Sequence, residues 1–229
     1  LFYIPLLVWL QLSPRVVPHA KAALRTAKDI AGDLAAALRD VAHNPVILSM
    51  TILAAGTSLL VGNAYHAQMP EFAQDLGHGN GDWHYSLLLT AEAVGALTAG
   101  IVLESRGLLR AQPRTAIVLA ILWSLAIVAF AAVKSYPIAV ALLTLAGFLN
   151  LAFSAMAQTL VQMHAPPAVR GRVIGLYNMG TLGLRAASGV TVGVLGGMIG
   201  IHWSLAGSAL LLCVATIVLL AFTPRAARS

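Results

Sequence analysis

Charge is what this sequence has least of: 10% of its 229 residues are Asp, Glu, Lys or Arg, against 59% that are hydrophobic, and its mean hydropathy is +0.84. A soluble domain carries about a quarter charged residues, so this composition excludes a water-soluble globular fold. Cysteine is nearly absent too. Cys213 stands alone inside an apolar run, which excludes an intrachain disulfide and leaves a small buried packing residue. The basic residues are scattered through short loops without interleaved aromatics, so nucleic acid is not an expected partner despite a net charge of +6. Neither G-x-S-x-G nor H-E-x-x-H occurs, which speaks against a membrane-embedded enzyme; no catalytic residue and no cofactor are expected. His78, Asp82 and His84 bring metal-ligand chemistry to one loop, but their spacing fits no metal template and the intervening glycines suit ordinary turns. No metal site is expected there.

What the sequence has in quantity is long apolar runs. Six of them, at 46–66, 84–103, 115–133, 138–161, 172–199 and 203–222, are each long enough to cross a bilayer as a helix, which predicts an all-α, polytopic membrane helical bundle over 46–222. Residues 1–12 form a shorter apolar run with no initial methionine and no basic leader, read as the truncated end of a preceding transmembrane helix in a chain that is a fragment. Residues 13–45 are a charged linker in which Leu24, Ala27, Ala31, Leu34, Leu38 and Val41 recur at helical spacing. That predicts an amphipathic helix over 20–43, lying on the membrane surface, binding a partner, or serving as a solvated linker. Residues 223–229 form a short tail.

The loops alternate in charge. Arg15, Lys21, Arg25, Lys28 and Arg39 precede the first span; Arg106, Arg110 and Arg114, then Arg170 and Arg172, then Arg225 and Arg228 follow every second span. The loop at 67–83 has no Lys or Arg, and only Lys134 stands on that same side. By the positive-inside rule the linker, the two basic turns and the C-terminus are cytoplasmic.

Polar residues inside the spans are the candidates for function. The fifth span follows the hinge Ala165-Pro166-Pro167-Ala168-Val169-Arg170-Gly171-Arg172, and in it Asn178, Thr181, Arg185 and Ser188 share one helical stripe. Gly189, Gly193 and Gly197 repeat every four residues on an adjoining stripe, the pattern that lets another helix come close. A guanidinium facing hydrocarbon costs roughly 2.5–3.5 kcal/mol on insertion scales, so Arg185 is expected to face protein or water, either as a satisfied arginine in a packing seam or as a working residue. Glu92 lies near the middle of the second span, beside a small-residue stripe of Ala91, Gly95 and Ala99. Asn150, Ser154 and Gln158 form a polar stripe on the fourth span, and Asn63 closes a polar first span with Ser49, Thr51, Thr57 and Ser58. The third span, Ala126 included, and the sixth are nearly free of polar groups and are read as lipid-facing.

These residues carry a resemblance. Gly100, Glu104, Arg106 and Gly107 are similar to the loop motif G-x-x-x-D-R-x-G-R of the major facilitator superfamily in its second-half copy, with glutamate for aspartate and the arginine displaced to Arg106. Arg170-Gly171-Arg172-Val173 after Pro166, followed by Leu176-Tyr177, resembles the hinge between the tenth and eleventh helices of the bacterial drug and siderophore efflux branch, the enterobactin-exporter-like proteins. The chain thus resembles the C-terminal half of such a transporter. The resemblance implies a missing N-terminal six-helix half, alternating access around a central cavity lined by the first, second, fourth and fifth spans, and lipid against the third and sixth. It also implies an inner-membrane location, a small amphipathic substrate such as a drug or siderophore, and export coupled to protons. Glu92 is then the candidate proton or cation site and Arg185 a counter-charge or anion contact, with Asn63, Asn150, Ser154, Gln158, Asn178 and Thr181 lining the cavity.

Overall fold

The computed structural model describes residues 27–62, 64–78, 82–106 and 111–222. The expectations for 1–26, Asn63, Gly107 and the tail at 223–229 fall outside the described residues, as does the side chain of Arg106. Every element among the described residues is helical.

Six helical stretches have the length and apolarity of membrane spans: Pro45–Ala67, Trp83–Ser105, Pro113–Ala132, Tyr136–His164, Arg170–Ile199 and Ile201–Phe222, called the first to sixth spans below. Local chemistry explains several of the ends. Asn44 caps the first span, its side-chain oxygen accepting from the Val46 and Ile47 N–H groups at 3.0 and 3.3 Å, and Pro45 fills a position whose N–H would have no helical partner. Pro113 and Pro137 open the third and fourth spans in the same way. Gly200, at φ +90, lets the chain turn from the fifth span directly into the sixth, a conformation that a side chain would oppose.

The buried core forms two clusters. One joins Tyr65, Met69, Phe72, Leu88, Phe130, Leu143 and Ile201 at the end that carries the 67–82 loop. The other joins Ile47, Met50, Ala116, Phe153, Leu160, Val173 and Tyr177 at the opposite end. A helix at Ala27–Ala42 docks on this second cluster through Val41, against the start of the fifth span. Of the readings open for the amphipathic segment, its C-terminal part therefore packs within the chain. Around both clusters, Ile52, Leu97, Ile101, Val118, Leu122, Val214 and Val218 point outward. In water so many exposed large apolar groups would drive aggregation; in a bilayer they are solvated by lipid.

The third span departs from expectation. Half of its hydrophobic window is buried, with Ala116, Ile117, Ala120, Trp123, Ser124, Ala126, Ile127 and Phe130 all inside. Ala126 is a core residue, and only the face with Val118, Leu122 and Leu125 is outward. An apolar span packs against protein as readily as against lipid, so lack of polarity does not tell the two apart.

Candidate functional site

The second and fourth spans cross at a point where neither has room for a side chain. A Cβ on Gly95 would fall on the carbonyl of Thr144, and a Cβ on Gly147 would fall on the carbonyl of Glu92. This reciprocal contact fixes the backbone of Glu92 against the fourth span, and the expected stripe of Ala91, Gly95 and Ala99 is buried in it.

The carboxylate of Glu92 is held from the first span. Gly62, at φ +50, interrupts that span after Leu60, and the helix resumes as Ala64–Ala67. Gly62 lies against the Ser188 side chain, where a Cβ would collide. Beyond the break, the Tyr65 hydroxyl donates to Glu92 Oε1 at 2.6 Å and His66 Nε2 lies 2.8 Å from Oε2. Tyr65 is fully buried, the Glu92 side chain is 12% exposed and that of His66 32%. Both carboxylate oxygens are thus engaged, one by a phenol and one by a group that can give or take a proton. Composition and periodicity gave no hint of Tyr65 or His66; the signal available was two polar-tipped rings just after a glycine, deep enough to meet a residue of the next span.

Glu92 and Arg185 are not an ion pair. Among the described residues the Arg185 guanidinium has no acidic partner, although it is close enough to Tyr65 to act on it electrostatically. Arg185 instead lines two adjoining cavities, lobes of one site in that Asn150, Ser154 and Arg185 wall both. The lobe nearer the 67–82 loop, about 440 Å³, is walled by His66, Leu89, Glu92, Ala93, Gly147, Asn150, Ser154 and Arg185. The other, about 240 Å³, is walled by Thr57, Ser58, Trp123, Asn150, Phe153, Ser154, Gln158, Tyr177, Asn178, Thr181 and Arg185. Asn150 is midway along the fourth span and Arg185 close to midway along the fifth, so the shared wall is at mid-depth. Within it Ser154 donates to Asn150 Oδ1 at 3.2 Å, which leaves the Asn150 amide hydrogens for an occupant.

The fifth span presents Arg185 from an irregular helix. Residues Met179–Gly183 and Gly189–Val194 are π-helical turns flanking Leu184–Ser188. The Thr181 hydroxyl donates to the Asn178 carbonyl at 3.1 Å and that of Ser188 to the Arg185 carbonyl at 2.7 Å. Hydroxyls that capture carbonyls of their own helix loosen its regular ladder, and here they stand in or beside the two turns. Gly189, Gly193 and Gly197 have nothing within reach of an added Cβ, so no element among the described residues closes on the expected glycine seam.

The loop-motif residues lie away from this cavity. Gly100 packs near Leu151; Glu104 is exposed and makes no ion pair among the described residues. Arg170 donates from Nε to the Ala165 carbonyl at 3.3 Å, bracing the hinge, while Gly171 and Arg172 are exposed. Just after the 67–82 loop, His84 stacks on Trp83 with ring centroids 3.6 Å apart and meets Tyr136 edge-on. The side chains of His78 and Asp82 lie outside the described residues.

The cavity residues therefore come from the first, second, fourth and fifth spans, as the resemblance implies, with Trp123 added from the third. Tyr65, His66 and Trp123 are the wall and support residues that the sequence pattern does not reveal. No curated protein matches the chain. The family model described as Major Facilitator Superfamily matches residues 1–187 and again 69–229. With six apolar spans around a polar cavity at mid-depth, the chain belongs to the Major Facilitator Superfamily and is an integral, multi-pass membrane transporter of small molecules.

Proposed function

We propose that residues 46–222 are the C-terminal half of a proton-coupled exporter of small amphipathic molecules, drugs or siderophores among them, working by alternating access in a bacterial inner membrane with the C-terminus cytoplasmic. The observation that carries this reading is the convergence of Glu92, Asn150, Ser154, Gln158, Asn178, Thr181 and Arg185 on two adjoining cavities with a shared wall. Substrate sites in such folds lie near the midplane between two halves that rock against each other. The second and fifth spans, which supply Glu92 and Arg185, are the least buried of the six, at 22% and 19% of their apolar windows. Faces left that open suit a missing N-terminal half closing over them, with the glycines of the fifth span at the seam. The resemblance to the efflux branch supports export, and the alternating loop charge supports the orientation.

In this scheme Glu92 carries the proton. Its hydrogen bond to His66 gives the proton a second seat, and the cavity opens it to either side of the membrane in turn. The test is gradient-driven efflux of amphipathic dyes of both charges, measured in the full-length protein. Glu92→Gln is expected to keep the protein folded, because an amide still accepts from Tyr65, and to abolish the part of efflux that depends on the proton gradient. Gradient-dependent efflux that persists in Glu92→Gln would remove Glu92 from the coupling role.

A further inference from the structure

We infer that the cavity selects an organic anion, whose oxyanion head is met by the Arg185 guanidinium and the Trp123 indole N–H. This rests on the cavity being the transport site and goes on to name the class of substrate.

Among the described residues, the charges on the cavity wall are few. Glu92 is the acid there, and Tyr65 and His66 already occupy both of its oxygens at 2.6 and 2.8 Å. A cationic substrate would have to displace one of these short contacts to reach it. Arg185 stands differently: it lines both lobes, is exposed to them, and has no acidic partner among the described residues. A guanidinium at mid-depth of a membrane needs a counter-charge or water, and an incoming anion is a counter-charge that the described residues of this wall do not themselves supply.

Trp123 points the same way independently. It is 2% exposed, it forms part of the smaller lobe, and its Nε1–H has no acceptor among the described residues. A buried donor left without a partner is costly, and an indole N–H can only donate. The nitrogen is itself buried, so an occupant with acceptor oxygens satisfies it only by drawing it into the lobe; an ammonium does not. Around these donors, Phe153 and Leu182 in one lobe and Leu89 and Leu151 in the other offer apolar surface to the rest of the molecule. The chemistry is that of a carboxylate, sulfonate or phenolate on an aromatic or aliphatic body.

Three probes of nearly one shape separate the charge classes: phenylbutyrate, phenylbutanol and phenylbutylamine. Binding of each is measured calorimetrically to the full-length protein in lipid nanodiscs. Phenylbutyrate is expected to bind about tenfold or more tightly than phenylbutanol, the scale of a charge-assisted hydrogen bond, and phenylbutylamine weakest of all. Arg185→Gln should erase the preference for the anion, Arg185→Lys should keep part of it, and Trp123→Phe should weaken phenylbutyrate severalfold and phenylbutanol, a neutral acceptor, less. Tightest binding of the amine, an anion preference that survives Arg185→Gln, or binding of none of the three would overturn the inference. The two readings fail separately: dye efflux coupled through Glu92 with the amine bound best would keep the coupling role and remove the anion head, whereas an Arg185-dependent anion preference with coupling intact in Glu92→Gln would keep the anion head and remove Glu92 from the coupling role.

Discussion

Two small-residue stripes of the same spacing meet opposite surroundings in this molecule. Gly95 and its stripe on the second span are pressed against the fourth, with Gly147 returning the contact, so that each span's backbone fills the space where the other's side chain would be. Gly189, Gly193 and Gly197 on the fifth span touch nothing that an added Cβ would reach. A small-residue stripe states that a backbone is able to approach; only the fold states whether one does. The first pattern belongs to the fixed architecture of the six spans. The second is proposed to belong to the moving seam against the other half.

The largest effect is therefore expected at the crossing. Gly147→Leu puts a side chain onto the carbonyl of Glu92, where neither backbone is able to yield, and it should exceed the roughly 1–3 kcal/mol usual for overpacking. The protein should fail to give a monodisperse peak in detergent, and the crossing would be misassigned if it unfolded at the wild-type temperature. Gly193→Leu should behave differently. Its side chain enters open space, so thermal stability should change by no more than about 0.5 kcal/mol, as at other sites free of tertiary contact, while efflux should be lost as the seam is held apart. Unfolding as severe as that of Gly147→Leu would erase the distinction between the two patterns. Leu122→Ala, on the outward face of the third span, should be the mildest, leaving efflux and melting temperature close to wild type. Ala126 is no substitute for it as a control, since it is buried.

Much of this was legible in the sequence. The six apolar runs predict the spans to within a few residues, because crossing a bilayer demands an uninterrupted apolar helix and loops cannot hide in it. Polar residues three and four apart predict much of the cavity wall, since Asn150, Ser154 and Gln158 on a regular helix must share a face. The rest depends on contacts that periodicity does not encode. Tyr65 and His66 reach Glu92 because Gly62 breaks the first span and redirects it, and the partner is a whole span away in sequence. Trp123 looks like any aromatic in an apolar helix until the fold puts cavity on one side of it. On the fifth span, each π turn adds a residue to the ladder and rotates the helix beyond it by about 100°, so stripes drawn with a constant period drift from the real faces.

Glu92 and Arg185 are the pair on which a structural and a working account of the cavity divide. If they simply neutralised each other, removing either would leave an unpaired buried charge costing roughly 3–5 kcal/mol, and removing both would restore folding and activity. The structure gives Glu92 other partners, Tyr65 and His66, and leaves Arg185 facing the cavity. The deciding measurement is gradient-driven efflux by the full-length protein for wild type, Glu92→Gln, Arg185→Gln and the double variant, with the amount of folded protein in the membrane measured alongside. The account predicts that all four fold to similar levels, that each single variant is defective, and that the double variant is inactive. Efflux regained in the double variant would contradict it and leave the two residues as a structural pair.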